Sequence, residues 1–477
     1  MTELREKYGP GTNLGNIPDS ELADLKNLGI THIWLMGVWS TGDKSHQMAR
    51  GLFATQAEQL GLNPDRDVIA SPFSISAYEI SPIFGSRQEL QLFRQQLHGH
   101  HLQLILDAVF NHLGLDHPLV IEHPEYFIAV DPNHPAASRM PAGGGKFIAH
   151  GKDPYFAPWQ DTYQLDITCG GTREWIREQM LSIARESDGV RCDMAMLLCK
   201  GVFKRTWGEA TREPEAGSFW QTLIADIKIL HPQFTFIAEV YWNLERQLLT
   251  EGFDFVYDKT FYDSVVEDRL LPTEALERFV RDEYAKHALL FVENHDEQRI
   301  ASRIRNQNQY TVAHLLLLAM PCPVLIHHGE MEGRTVRTPV QYNRWLPEER
   351  DASLEGIARK LLWELREHKT REGIGRILEN QQGNKEQTFC IQWELSGSVQ
   401  WIIVNYSNGG GSGAWIKPDF VTPGQEPCLL FCTEPNPFKN VVQKEGCVLV
   451  EANPWAGAIL SWTKSFQTAR NNTAQGI

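Results

Sequence analysis

Short apolar runs alternate with amphipathic segments through most of the chain, and no other feature restricts the fold of these 477 residues as strongly. The apolar runs are Thr31 to Met36, Leu102 to Val109, Gly189 to Asp193, Thr235 to Val240, Phe253 to Tyr257, Ala288 to Glu293 and Pro323 to His327. Segments of helical periodicity lie between many of them, among them Ser20 to Leu28, Arg87 to His98 and Thr172 to Glu186. Strand, helix and strand repeated in this way predict a parallel sheet. Seven such runs over roughly 300 residues suit a closed (β/α)₈ barrel better than an open sheet, and in a barrel the strand C-termini carry the chemistry.

Two departures from the alternation mark further units. Residues 113–168 are rich in Pro, His, Gly and Asp and include PAGGGK at 141–146. They are too long for a simple connection and predict a small irregular excursion after the strand at Leu102 to Val109. After about residue 372 the character changes: TFCIQWEL, SVQWIIVNYS and GAILSWTK are β-rich runs separated by Gly, Asn and Ser. The expected division is therefore a barrel over 1–372, an antiparallel β domain over 373–464 and a frayed polar tail over 465–477.

Charge and cysteine content narrow the partners. The formal net charge of -15 repels nucleic acid phosphates and anionic membrane surfaces. No stretch approaches the roughly 18 apolar residues of a membrane span. The first residues, MTELREKYGPGTNLGNIP, carry charges where a signal peptide needs an apolar run, which gives a cytoplasmic expectation. The 8 cysteines are scattered rather than arranged as a disulfide framework. Cys428, Cys432 and Cys447 lack the fourth ligand and spacing of a zinc finger.

Four apolar runs end in polar residues: DAVFNH at 107–112, DGVRCDMA at 188–195, FIAEVYW at 236–242 and FVENHDEQR at 291–299. One such ending is explained by a structural ion pair, such as Asp193 with Arg191 two residues before it on the same side of a strand. Four in succession place carboxylates at several strand ends around one cleft, which is how a barrel assembles an active site.

These four segments resemble, in order and at plausible spacing, the signature regions of the α-amylase family of glycoside hydrolases. GITHIWLMGVW at 29–39 and SAYEISPIFGS at 76–86 extend the resemblance, which covers residues 15–330 well. It implies a retaining enzyme acting on α-linked glucose oligosaccharides or polysaccharides, with maltooligosaccharides as natural test substrates. By resemblance Asp193 is the nucleophile, Glu239 the acid and then the base, and Asp296 the carboxylate that holds sugar hydroxyls. Arg191 keeps Asp193 ionised and Asp107 supports Arg191. His112 and His295 bond hydroxyls of the sugar being cleaved, and Tyr78 stacks on it. No cofactor is required; Asn111 matches a calcium-binding position of many members, whose other ligands do not align here.

The chemistry suits these residue types, since glycoside cleavage needs one carboxylate charged and one protonated near neutral pH. Two departures qualify the match. Ala77 stands where the family usually has Asp before the stacking Tyr. No apolar strand precedes Ser20 to Leu28, so the first barrel strand is missing from the given sequence, and MTELREKYG looks like the segment that would follow it. The four motifs also do not distinguish hydrolysis from α-glucan transfer. A non-catalytic sugar- or partner-binding relative has no need of all three acids, and a metal-dependent hydrolase would need a His and carboxylate cluster that is not seen. Around the motifs, Trp159, Tyr163, Trp242, His327 and His328 are candidates to line the cleft, whereas His98, His100 and His101 read as a solvated helix end.

Overall fold

The computed structural model describes residues 1–463 apart from 142–144, 212–217, 267–275, 277, 281, 305, 347, 382–387, 417–424 and 445–446. The frayed tail expected over 465–477 and the centre of PAGGGK lie outside the described residues. A parallel sheet forms the middle of the molecule. Its strands are His32–Trp34, Gln103–Ala108, Gly189–Cys192, Thr235–Ala238, Phe255–Tyr257 and Ala288–Leu289, hydrogen-bonded in that order. All five pairings are parallel and follow chain order, as a right-handed β/α succession requires.

Local chemistry explains why the intervening segments are helices. Arg87–Gly99 opens with a capping box, in which the Ser86 side chain accepts from Glu89 N and the Glu89 carboxylate accepts from Ser86 N. It buries Leu90, Phe93 and Leu97 on one face. Gly170–Glu186 buries Ile176, Met180, Ile183 and Ala184 in the same manner. The run expected as a strand over Pro323 to His327 shrinks to a single bridge between Leu290 and Val324. Pro321 and Pro323 have no N–H to donate to a ladder.

The sheet curls as the expected (β/α)₈ barrel does, with a seam along one side. Among the described residues no strand pairs with the free edge of His32–Trp34 or with the free side of 323–326. Ile33, Trp34, Leu35, Val324, Leu325 and Ile326 are half-buried along this seam. They help to line a cavity of about 2340 Å³ that runs along the inside of the sheet. The first residues form a helix, Thr2–Tyr8, whose Glu3 pairs with Arg334 and His328 beside the seam.

Residues 113–168 make small antiparallel pairings rather than an irregular loop throughout. His112–Gly114 pairs with Thr162–Gln164, and Ala137–Arg139 with Phe147–Ala149. The chain then leaves the barrel through Ala352–Glu367 and enters β structure at Ile374–Leu378. Two antiparallel sheets follow, of five and three strands, around Trp401, Trp415 and Trp462. The helix Gln307–Ala319 packs directly on Ser398–Asn405 and Ala456–Thr463. Gly457 permits this approach, since a Cβ there would meet Leu315 Cδ2 at 2.7 Å. Trp393 Nε1 donates to Ala319 O at 3.0 Å across the same boundary.

Candidate active site

Strand register brings the charged residues together before any side chain is considered. Asp107 lies opposite Arg191, and Ala238 lies opposite Cys192. Asp193 and Glu239 therefore leave adjacent strands at the same level. Asp193 N donates to Ala108 O at 2.9 Å, and Glu239 N donates to Cys192 O at 3.1 Å. Both acids thus stand on the last rungs of the ladder, where the backbone is still fixed.

Arg191 is the hub. Its Nη1 lies 2.7 Å from Asp193 Oδ1 and 3.5 Å from Asp107 Oδ1, and its Nη2 lies 2.7 Å from Glu239 Oε2. The guanidinium is enclosed by the rings of Trp34, Phe73 and Tyr257, at 5.1, 5.3 and 5.8 Å. Asp107 is held from behind by Trp34 Nε1 at 3.1 Å and by Gly37 N at 2.8 Å. Glu239 also accepts from Met194 N at 2.6 Å and from the Tyr241 hydroxyl at 2.9 Å.

The electrostatics differ from the expectation that Arg191 alone keeps Asp193 charged. Burial pushes the Asp193 carboxyl up to about 8, against the pull of Arg191 and with a further push from Glu239. Burial likewise raises Asp107 to about 6, although Arg191 opposes it. Burial is the larger effect, and the single guanidinium shared among three buried carboxyl groups offsets only part of it. The cluster thus holds a proton into the neutral range.

Asp296 lies close enough for Arg191 to act on its charge, with its side chain 49% exposed. Asn294 Oδ1 accepts from Asp296 N at 2.9 Å and Glu297 N at 3.0 Å, which fixes the turn that carries it. Burial of its carboxyl raises its pKa, while Arg191 and Arg337 pull it down. His295 Nε2 lies 3.3 Å from Asp296 Oδ2. Neither His295 ring nitrogen makes a hydrogen bond among the described residues, and burial, with Arg191 adding to it, lowers the ring to about 3. His112 is buried, neutral by the same cause at about 4, and its ring lies 5.1 Å from Trp159.

The other residues singled out from the sequence fall in several places. The Tyr78 hydroxyl donates to Val109 O at 2.8 Å and accepts from Val109 N at 3.0 Å, and its ring packs among Trp39, Phe110 and Trp175. This corrects the stacking role: the aromatic rings in contact with both Arg191 and His295 are Trp34 and Phe73. Tyr163 stacks on His150 inside the insertion. His327 joins a buried group with Glu293 and Arg299, and His328 pairs with Glu3. His98 and His100 make ion pairs with Asp188 and Asp19.

Asn111 is occupied by a side chain. Its Oδ1 accepts from Gln164 Nε2 at 3.0 Å, and the same amide nitrogen lies 2.7 Å from Asn111 O and 3.1 Å from Leu165 O. Three oxygens therefore converge on the Gln164 side-chain amide. No group of three or more His, Cys, Asp or Glu among the described residues is arranged to hold a metal ion.

Sequence reasoning missed Trp34, Phe73, Tyr241 and Tyr257. Trp34 and Tyr257 sit on expected strands, and their inward direction depends on register. Phe73 comes from a segment without periodicity, so nothing in the sequence marks it.

Residues 14–408 match the family model described as alpha amylase, catalytic domain. The chain is 25% identical over 372 residues to a palatinase of Erwinia rhapontici, covering 69% of this chain and 62% of that one. It is 20% identical over 365 residues to a cyclomaltodextrinase of Thermoanaerobacter pseudethanolicus, covering 70% and 59%. The match thus spans about three fifths of these relatives' length. Among solved structures, the maltogenic amylase AmyB of Thermotoga neapolitana superposes with a TM-score of 0.66 at 20% identity, covering 93% of each chain. With a family model matched over most of its length and the fold shared, the chain belongs to the α-amylase family.

Proposed function

We propose that this chain is a retaining glycosidase acting on α-linked glucose oligosaccharides or polysaccharides. The observation that carries the proposal is the Arg191 guanidinium, which bridges Asp193 and Glu239 at 2.7 Å each. Two carboxyl groups that share one cation act on one small volume, as glycoside cleavage demands. The palatinase and cyclomaltodextrinase among its relatives support an α-glucosidic donor.

In the first step an Asp193 oxygen forms a bond to the anomeric carbon while the glycosidic C–O bond breaks. The departing oxygen takes its proton from Glu239. The step needs a proton on Glu239 and the charge on Asp193. A positive sugar ring beside Asp193 favours that distribution as the bond breaks. In the second step Glu239 removes a proton from the acceptor hydroxyl, whose oxygen displaces Asp193. Asp296 and the buried His295, whose Nδ1 makes no hydrogen bond among the described residues, suit sugar hydroxyls, because buried polar atoms require partners.

Water or a second sugar can serve as the acceptor with the same residues. Product analysis on a panel of maltooligosaccharides tests the proposal and separates these cases. Shorter products alone are expected from hydrolysis, and a ladder that includes longer ones from transfer. An unchanged panel would overturn the donor class.

We further propose that calcium has no structural role at Asn111, because the Gln164 amide ties the insertion to the barrel in its place. The midpoint of thermal unfolding is expected to be the same in EDTA and in millimolar calcium. A fall of several degrees in EDTA, restored by calcium, would show a site elsewhere.

A further inference from the structure

The run after Pro323 brings an imidazole and a buried carboxylate together at the end of the sheet. Val324 bridges to Leu290, so His327 rises beside the turn that carries His295 and Asp296. Its backbone is pinned, since Glu330 Oε2 accepts from His327 N at 3.0 Å. Its ring is pinned as well, with Nδ1 lying 3.0 Å from Oε1 of the fully buried Glu293. Burial lowers the pKa of the ring, against the hydrogen bond to Glu293 and with a further push from Arg299, so the imidazole is neutral near pH 7.

Counting hydrogens fixes the tautomer of this ring. Arg299 Nη1 carries two hydrogens, and Glu293 Oε1 at 2.5 Å and His328 O at 2.8 Å take both. His327 Nδ1 also lies 2.9 Å from Arg299 Nη1, but no third hydrogen remains for it. Two lone pairs do not face each other at hydrogen-bond distance, so Nδ1 carries the ring hydrogen and donates it to Glu293. Nε2 is then a bare acceptor. Among the described residues it has no hydrogen-bond partner. The side chain is 19% exposed and lines the same cavity as Asn294 and His295.

Position decides what this acceptor meets. His327 is close enough to His295 and Asp296 for its charge to act on both. Around the sheet, the strand that ends at Glu239 is followed by Phe255–Tyr257, then by Ala288–Leu289, and then by the bridge at Val324. The proton donor of a glycosidase stands beside the departing oxygen. His327, beyond Asp296 as seen from Glu239, therefore faces the glucosyl unit that stays on Asp193. Each hydroxyl of that unit is a donor, and a neutral imidazole nitrogen accepts one. We infer that His327 Nε2 accepts a hydrogen bond from a hydroxyl of the transferred glucosyl unit, a role that rests on the glycosidase reading of the site. Glu293 holds the ring in the tautomer that leaves Nε2 free to accept.

His327→Asn and His327→Gln separate the two ring nitrogens. The amide nitrogen of Asn stands where Nδ1 donates to Glu293 but leaves nothing at Nε2, whereas the carbonyl oxygen of Gln reaches the Nε2 position. The test measures kcat/KM on α-glucosyl fluoride and on its 2-, 3-, 4- and 6-deoxy analogues. On the parent fluoride, His327→Asn should lose about three- to tenfold, the contribution of one neutral hydrogen bond, and His327→Gln should recover most of it. On the analogue that lacks the bonded hydroxyl, wild type and His327→Asn should be equal. A merely structural loss would lower every donor alike. That result, or no loss on the parent fluoride, would overturn the role of His327 and leave the glycosidase reading standing. No fluoride release from the wild type with any of the donors would overturn the glycosidase reading and the role of His327 with it.

Discussion

Asp193→Asn is expected to abolish turnover while leaving the fold intact. An amide cannot form the glycosyl ester, so release from both α-glucosyl fluoride and maltooligosaccharides should fall by about 10⁴-fold or more, a loss of about 5.5 kcal/mol of transition-state stabilisation. Glu239→Gln makes the contrast. Fluoride leaves without a proton, so this variant should still form the ester from glucosyl fluoride while losing about 10²- to 10⁴-fold on natural glycosides. Equal losses on both donors in both variants would remove the division of labour between the two acids.

The same substitution has a consequence for stability. A carboxyl held at about 8 in the folded protein and about 3.9 in the unfolded chain binds its proton more tightly when folded. Its stabilising contribution is complete below the unfolded value and is lost as pH rises through about 8. Asp107, at about 6, acts in the same sense over a lower range. His112 and His295, lowered to about 4 and about 3, act in the opposite sense, but only up to about 6.5. Between pH 6.5 and 8 the Asp193 contribution therefore stands alone among these groups. The unfolding midpoint of the wild type should fall over that interval, and Asp193→Asn should flatten the fall. A parallel decline in both would assign it to other groups.

How much of this could be read beforehand depends on whether the cause was local. The strands carrying Asp107, Arg191 and Glu239 are short apolar runs with polar ends, and both features survive in the linear sequence. The helix Gln307–Ala319 leaves no local signal in the sequence, because it is buried on every face and shows no amphipathic period. Asp43–Gln59 was missed for the opposite reason, being largely polar with few buried positions. The motif alone assigns Tyr78 to the sugar, but its hydroxyl is satisfied by the Val109 backbone. That bond joins residues 31 positions apart, which no local pattern encodes. The raised Asp193 pKa was equally hidden: the adjacent Arg191 is visible in sequence, whereas its sharing with Glu239 and Asp107 depends on register.

Removing the shared cation should have the largest effect on stability. Arg191→Leu keeps an apolar stem among Trp34, Phe73 and Tyr257 but leaves Asp107, Asp193 and Glu239 buried together without a positive partner. Breaking a buried pair by deleting one member costs about 3–5 kcal/mol. That is a large part of the roughly 5–15 kcal/mol that keeps a domain folded. The carboxyl groups can escape part of this cost by taking up protons, so the variant should bind more protons when folded than the wild type does. Its stability must then fall more steeply as pH rises. Urea unfolding at pH 5.5 and pH 8 reads the sign: the gap to wild type should be several-fold wider at pH 8. Arg191→Lys should recover only part of the loss, since one ammonium cannot span Asp193 and Glu239 as the planar fork does. If the gap were equal at both pH values, Arg191 would hold the site by packing, and the electrostatic account of Asp193 would fall with it.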